Sequence, residues 1–236
     1  MQTVEVMGDR ESIAEPGRLA QAIVDYGVDF EAFSVQDVRT PQNADFLVYC
    51  RRSDTTLGAA VSFCHENRIP LALLSSGINA DQIRALRFPL IKVPNASLPI
   101  VRFLLDVEEA ALRHKNWPVT ITEHHQPTKK DVSGTALKIA DMLGVGKEAI
   151  VSVRNWEQSQ REHNIPEETR EGYAIHDVTF TNPETNIDTT PLHVVVHGRE
   201  TYARGLMTLA GAVLGHPEEF LPGHYNIVDL VREHVL

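Results

Sequence analysis

Short apolar runs alternate with helical patterns through the first 95 residues, and this alternation constrains the fold more than any other feature of the sequence. The predicted strands are Val4–Met7, Phe30–Val35, Phe46–Tyr49, Leu71–Leu74 and Pro89–Val93. The predicted helices are Gly17–Tyr26, a segment from Asp54 or Thr55 to Asn67, and Asn79–Arg87. Strands that alternate with helices are typical of a parallel, doubly wound sheet. We therefore predict an α/β, Rossmann-like N-terminal domain.

The rhythm changes after Asn95. Predicted strands here are Val119–Thr122, Val151–Val153, Tyr173–Phe180 and Leu192–His197. Predicted helices are Leu98–His114, Ser133–Leu143 with Ser133 as N-cap and Gly144 as stop, and Tyr202–Leu214. The tail Tyr225–Leu236 is amphipathic. The charged stretch 157–171 is predicted to be a surface loop. These patterns predict an α+β second domain, with a division into 1–95 plus 206–236 and 96–205.

Charge and composition exclude several classes of protein. The net charge of −10 argues against a nucleic-acid partner and requires any anion site to be built locally. No apolar run approaches the ~20 residues that span a bilayer, and Met1 precedes no basic, apolar leader, so we expect a cytoplasmic protein without a membrane partner. Cys50 and Cys64 fit no metal or redox spacing and are expected to be buried free thiols.

One segment, residues 123–136, concentrates the residue types that carry chemistry. It reads Glu-His-His-Gln-Pro-Thr-Lys-Lys-Asp-Val-Ser-Gly-Thr-Ala. Two histidines end a strand, two lysines follow in a loop, and Ser133 opens a helix. The N–H groups at a helix N-terminus favour an anion, and histidine is well suited to donate a proton near neutral pH. The pattern predicts a carboxylate site beside an acid–base group; a structural histidine pair before an ordinary helix start is the alternative.

This segment resembles the signature of dihydrodipicolinate reductases, in which Glu-x-His-His leads to a lysine and then to Asp-Ala-Pro-Ser-Gly-Thr-Ala. Further segments resemble the same family in the same order. They are Asp45–Tyr49, Leu74-Ser75-Ser76-Gly77, Asn95-Ala96-Ser97, Arg199–Gly205 with the family's Arg-x-Thr-Phe-Ala-x-Gly, and Gly223–Leu230. The resemblance implies a reductase of a small cyclic imine dicarboxylate in lysine and diaminopimelate biosynthesis. It also implies NADPH or NADH as cofactor, and a homotetramer.

Carried over residue by residue, the resemblance assigns roles within segment 123–136. His124 is the implied proton donor, and Lys129 the implied second donor or carboxylate clamp. Substrate binding is implied for His125, Ser133, Gly134 and Thr135. Cofactor binding is implied for Gly8, Gly17, Arg18, Ser75, Ser76, Gly77 and Asn95. A direct count to Ser133 places Thr128 at the family's lysine position, so Thr128, Lys129 and Lys130 all remain candidates for that role.

The chain departs from the family pattern in its phosphate loop. A longer, acidic stretch separates Gly8 from Gly17-Arg18-Leu19-Ala20, and acidic side chains beside a pyrophosphate are unfavourable. Beyond the second strand, Gln36 and Asp37 are both candidates to meet the ribose. The choice between NADH and NADPH therefore stays open.

Three functions are compatible with these features. The first is the family reaction. The second is a related reductase that acts on a different cyclic imine or unsaturated carboxylate. The third is a carboxylate-binding homologue that has lost the cofactor. No metal site is expected, because no pair among the scattered histidines has ligand spacing on one element. These histidines are His176, His193, His197, His216, His224 and His234.

Overall fold

The computed structural model describes residues 1–8, 15–27, 30, 32–51, 56–75, 78 and 80–236, with residues 15–18 described by their backbone alone. The chain forms two compact units, Met1–Leu98 with Glu200–Leu236, and Pro99–Arg199. The unit boundaries therefore fall at 98/99 and 199/200, where the sequence predicted 95/96 and 205/206.

The first unit is built on a parallel sheet, as the alternation of strands and helices predicts. Its strands are β1 (Gln2–Gly8), β2 (Phe33–Asp37), β3 (Phe46–Cys50), β4 (Leu71–Leu73), β5 (Pro89–Lys92) and β10 (Gly223–Asn226). Within the described residues they follow the order β10-β5-β4-β3-β1-β2, and every neighbouring pair is parallel. The order reverses beside β1, because β2 and β3 lie on its two sides. A reversal of this kind opens a crevice at the carboxyl ends of the strands, where ligands bind in open α/β sheets.

The helices of the first unit follow the predicted pattern with one exception. They are α1 (Glu15–Gly27), α2 (Leu57–Asn67), α6 (Glu200–Gly215) and α7 (Ile227–Arg232), and α3 (Leu98–Arg113) begins at its boundary. The helix predicted over Asn79–Arg87 is wrong, since a single 3₁₀ turn at Ala80–Gln82 replaces it. Ala85 has a φ of +52°, and this left-handed conformation cannot continue a helix.

The second unit contains a mixed sheet. Its strands are β6 (Val119–His125), β7 (Ile150–Val153), β8 (Ala174–Phe180) and β9 (Leu192–Val196), in the order β7-β6-β8-β9. β6 is parallel to β7, whereas the β6–β8 and β8–β9 pairs are antiparallel. The helices are α4 (Gly134–Leu143) and α5 (Trp156–His163), with 3₁₀ turns at Lys147–Ala149 and Glu167–Thr169. The two-domain α/β and α+β prediction is confirmed.

Helix α5 shows that the surface loop predicted over 157–171 is wrong. The Asn155 side chain caps the helix by accepting a hydrogen bond from the Gln158 amide at 2.9 Å. Trp156 is 4% exposed and packs in a cluster with Ile165, Tyr173 and Ile175. The buried Trp156 side chain and the Asn155 cap therefore stabilise a helix whose remaining surface is charged.

Two smaller expectations concern the thiols and the bilayer. Cys50 and Cys64 are both buried free thiols, as predicted, and burial raises the pKa of the Cys64 thiol. Within the part of the chain that the structure describes, no helix combines the length and apolarity needed to cross a membrane.

Candidate active site

The end of strand β6 presents its side chains alternately to the two faces of the second unit's sheet. Successive side chains of a strand point in opposite directions. Glu123 lies opposite His176 of β8, and His124 lies opposite Ile175. Glu123 and His125 therefore share the face that α4 covers, which we call the α4 face. His124 lies on the opposite face, which α5 covers, and we call this the α5 face.

Glu123 is the centre of the α4 face. Its carboxylate is 0% exposed and accepts hydrogen bonds from the Ser133 amide at 3.0 Å, the Ser152 hydroxyl at 2.8 Å and the Arg154 guanidinium at 2.5 Å. Burial alone would raise the pKa of Glu123, but these donors outweigh burial and lower its pKa to about 2. Glu123 is therefore an ionised structural anchor that ties β6 to β7 and to the start of α4.

Two histidines complete the α4 face. The rings of His125 and His176 lie 5.4 Å apart, and His176 Nε2 is 3.0 Å from the Ser133 hydroxyl. Burial lowers the pKa of His125 to about 3 and that of His176 to about 4, with each ring also close to a positive group. Both imidazoles are neutral at pH 7. His125 Nε2 and His176 Nδ1 are buried and have no hydrogen-bond partner among the described residues.

The start of α4 lies beside these histidines. Ser133 caps the helix, since its hydroxyl accepts a hydrogen bond from the Ala136 amide at 3.0 Å, and Gly144 ends it with a φ of +66°. Both ends confirm the prediction. Gly134 is exposed and Thr135 half-buried, so the first turn of the helix is accessible to an anion.

The loop between β6 and α4, which we call the lysine loop, contains the three candidates for the family's lysine, and they differ in exposure. Lys129 is half-buried and lowers the pKa of His125 by its charge, whereas Thr128 and Lys130 are exposed. The Lys129 carbonyl accepts a hydrogen bond from Arg154 Nε at 2.9 Å, which holds the loop against the α4 face. His125 and Ser133 therefore lie on one face of the sheet, and the Lys129 charge acts on His125; these three residues form one set.

His124 lies apart from this set, on the α5 face. It is 3% exposed, its Nδ1 lies 3.0 Å from the Ser159 hydroxyl, and its Nε2 lies 3.3 Å from His163 Nε2. Burial and the neighbouring His163 lower the pKa of His124. The sequence did not indicate Ser159 or His163, because both belong to the segment predicted as a loop.

The first unit contains the candidate cofactor residues. Gly8 ends β1 where α1 passes so closely that a Cβ on Gly8 would lie 2.1 Å from the Ala20 Cβ. Asp37 ends β2 beside Gly8, while Gln36 is exposed and bonded to Ser34. Residues 9–14 lie outside the described residues, and Gly17 and Arg18 are described by their backbone alone.

The turn after β4 lines a cavity of about 320 Å³ at the carboxyl ends of β4 and β5. Ser75 contributes to its wall and donates a hydrogen bond to the Arg51 carbonyl. Ser76 and Gly77 lie outside the described residues. Asn95 follows β5, and its side chain accepts a hydrogen bond from the Ser97 amide at 2.8 Å.

Two of the segments that resemble the family meet in this unit. The Ser97 hydroxyl lies 3.0 Å from the Thr201 hydroxyl, and a Cβ on Gly205 would lie 1.8 Å from the Ala96 carbonyl oxygen. The two segments, Asn95-Ala96-Ser97 and Arg199–Gly205, therefore pack directly against each other through Thr201 and Gly205. Close approach of backbone to helix requires a glycine at position 205.

A comparison with known protein families shows which family this chain belongs to. The family model described as "Dihydrodipicolinate reductase, C-terminus" matches residues 101–231, more than half of the chain. The chain belongs to the dihydrodipicolinate reductase family. The chain departs from the Glu-x-His-His pattern in the position of the glutamate. Glu123 directly precedes His124, whereas the pattern has one residue between the glutamate and the first histidine. This spacing puts the Glu123 carboxylate on the face of His125.

Individual members of this family are similar to the chain in sequence or in fold. The 4-hydroxy-tetrahydrodipicolinate reductase of Caldanaerobacter subterraneus subsp. tengcongensis is 30% identical over 181 residues, 71% of this chain and 69% of the relative. That of Methanosarcina mazei is 29% identical over 169 residues, 68% of this chain and 58% of the relative. A dipicolinate-bound dihydrodipicolinate reductase from Paenisporosarcina sp. TG-14 shares the fold, with a TM-score of 0.65 at 15% identity, covering 98% and 99% of the two chains.

Proposed function

We propose that this protein is an NAD(P)H-dependent reductase of a small cyclic imine dicarboxylate, of the 4-hydroxy-tetrahydrodipicolinate type, in lysine and diaminopimelate biosynthesis. Family membership supports the reaction class. The observation that supports the proposal is that the Lys129 charge acts on His125, on the same face as the first turn of α4, within a chain whose net charge is −10. A local site of this kind is what a carboxylate substrate needs on an acidic protein.

In this proposal, different groups of the α4 face bind different parts of the substrate. The backbone N–H groups of the first turn of α4 donate to a carboxylate, and the Lys129 ammonium supplies the opposite charge. His125 Nε2 is buried and lies 3.5 Å from the Glu123 carboxylate, so a substrate atom that reaches this nitrogen must enter beside Glu123. Glu123 and Arg154 act indirectly, by fixing Ser133 and the lysine loop.

His124 is the proton donor in this proposal, as the family resemblance implies. It is the penultimate residue of β6, so a substrate bound on the α4 face must extend over the end of this strand to reach it. Its Nδ1 is held by the Ser159 hydroxyl, which leaves Nε2 as the nitrogen that carries the transferable proton. His163 covers that nitrogen, so proton delivery to a substrate requires the His163 side chain to swing away. The nicotinamide cofactor supplies the hydride. Gly8, Asp37 and the cavity beside Ser75 are the described groups that would receive it.

A cofactor titration followed by a turnover assay tests the proposal. Saturable binding of NADH or NADPH at micromolar concentration, with oxidation of the cofactor on addition of 4-hydroxy-tetrahydrodipicolinate, is expected. Binding without turnover of this substrate would contradict the substrate assignment. The absence of binding up to millimolar concentration would contradict the reductase itself and favour a carboxylate-binding homologue.

One observation favours a second candidate, a reductase of a cyclic imine with a single carboxylate. Arg154 is committed to Glu123 and to the carbonyls of Lys129 and Asp131. Lys129 is then the one cation that the described α4 face offers to a carboxylate. Assaying mono- and dicarboxylate imines side by side separates the candidates, since each predicts the higher kcat/KM for its own substrate.

We also propose that the protein works in the cytoplasm as a homotetramer, as the family resemblance implies. Light scattering coupled to size-exclusion chromatography tests the assembly. A mass near four times the 26.3 kDa chain is expected, and a monomer would contradict the proposal.

A further inference from the structure

Four titratable side chains gather on the α5 face, from four elements of the second unit. His124 of β6, His163 of α5 and Asp177 of β8 each offer one ligand atom, and these three atoms all lie within 4.8 Å of one another. His193 of β9 lies beside them, stacked on His163 at 5.4 Å and bonded to Asp177 at 2.5 Å. Two imidazoles and one carboxylate that converge in this way are a ligand set for a transition-metal ion.

The distances fit such an ion closely. Zinc bonds of about 2.0–2.1 Å in tetrahedral geometry place neighbouring ligand atoms about 3.3 Å apart. The Nε2 atoms of His124 and His163 are already 3.3 Å apart. Asp177 is half-buried and lies two residues after Ile175 on the same face, where it offers an oxygen within 4.8 Å of both nitrogens.

The groups behind these ligands resemble the outer partners of a metal site. A ligating histidine usually holds its second nitrogen in a hydrogen bond that fixes the ring, and ligating carboxylates are in turn hydrogen-bonded. The Ser159 hydroxyl does this for His124 Nδ1, and His193 does it for Asp177. Both ligands are therefore oriented before any ion arrives.

Electrostatics separate this cluster from the one on the α4 face. Glu123, His125 and His176 also converge, but Arg154 neutralises the carboxylate and Lys129 lies close to His125. On the α5 face, the Asp177 carboxylate is bonded to His193 and to no lysine or arginine of the described residues, so its charge is available to a cation. One face of the sheet is built for an anion and the other for a cation.

We propose that His124, His163 and Asp177 form a binding site for a divalent transition-metal ion of the zinc class, with its fourth position open to water. This inference stands independently of the reductase activity. It has one consequence for that activity: a metal bound to His124 Nε2 occupies the lone pair that would otherwise carry the proton. Metal binding and proton donation by His124 are then mutually exclusive, and the ion acts as an inhibitor.

Cobalt is the probe of choice, because four-coordinate Co²⁺ absorbs visibly and zinc does not. Untagged, metal-stripped protein is titrated with CoCl₂ and, by calorimetry, with ZnCl₂, without cofactor or substrate. We expect one ion per chain and the intense absorption of a four-coordinate site. His163→Ala and Asp177→Asn should each weaken binding at least tenfold. His216→Ala should leave it unchanged, since this exposed histidine belongs to a separate group with Glu218 and Glu219.

Several outcomes would overturn the site. These are the lack of saturable binding below millimolar metal, equal binding by wild type and His163→Ala, or loss of binding in His216→Ala. His163 is half-buried on α5, so its alanine variant is expected to fold, and circular dichroism verifies this. Loss of metal binding in a protein that still reduces its substrate, or the reverse, separates this inference from the proposed function.

Discussion

His124 and His125 are neighbours in sequence, yet their side chains lie on opposite faces of the same sheet. His124 contacts Ser159 and His163 beneath α5, and His125 lies with Glu123 and His176 beside the start of α4. The two halves of the dipeptide therefore work in different surroundings. This arrangement predicts different defects when each histidine is replaced.

The first prediction separates the two histidines by their kinetics. His124→Ala should lower kcat by about 10²–10⁴, the contribution of a general acid, and leave the cofactor affinity unchanged. His125→Ala should mainly raise KM, because it removes a binding contact. Steady-state kinetics on both variants measure this. An unchanged kcat in His124→Ala would remove this residue from the mechanism.

Glu123 is predicted to matter for stability. Glu123→Ala leaves the Arg154 guanidinium and the Ser133 amide without their acceptor. Breaking a buried ion pair costs about 3–5 kcal/mol, and the partial exposure of Arg154 favours the lower end of that range. Urea unfolding measures the loss. Glu168→Ala, at an exposed position, is the control and should stay within about 0.5 kcal/mol of wild type. An equal loss in both variants would contradict the anchoring role.

The buried histidines of the α4 face predict a stability that falls in acid. His125 and His176 have pKa values of about 3 and about 4 in the folded chain and about 6.5 when unfolded. Between these values the unfolded chain binds more protons, so stability is present above pH 6.5 and is lost as the pH falls towards 4. For each of the two histidines, the free energy of unfolding falls by up to about 1.4 kcal/mol per pH unit. Glu123, with its pKa lowered to about 2, adds a loss of the same sign below pH 4.5.

Unfolding free energies at several pH values between 7.5 and 4.5 test this dependence. His176→Gln removes one titrating group and should flatten the slope, whereas His216→Gln at an exposed position should not. A wild-type stability that is constant across this range would show that the two imidazoles are not buried as neutral groups.

Much of the site could be predicted from the sequence, and the missing parts have physical reasons. Ser133 and Gly144 were recognisable because caps depend on local chemistry. The alternation of β6 also implies that His124 and His125 face opposite ways. His163 and His176 could not be placed, because strand register and one buried tryptophan, Trp156, bring them to the site, and neither leaves a periodic signal.

A fourth prediction concerns the cofactor. Asp37 lies beside Gly8 at the end of β2, where a carboxylate binds the ribose hydroxyls of NADH and repels the extra phosphate of NADPH. Asp37→Ser should therefore shift the ratio of the two dissociation constants towards NADPH by about tenfold, which corresponds to about 1.4 kcal/mol. The control is Gln36→Ala. A shift in the control and not in Asp37→Ser would assign the ribose contact to Gln36.

Two glycines in helix α6 provide the last prediction, since they differ only in their surroundings. A Cβ on Gly205 would lie 1.8 Å from the Ala96 carbonyl oxygen, whereas a Cβ on Gly211 would have Phe33 as its nearest neighbour at 3.9 Å. Gly205→Ala should therefore destabilise the protein by about 1–3 kcal/mol or more through overpacking. Gly211→Ala should stabilise it by about 0.5–1 kcal/mol, because alanine favours the helix. Thermal and urea unfolding of the two variants measure both signs. Destabilisation by both substitutions would show that the contact of Ala96 with α6 is not what selects glycine at position 205.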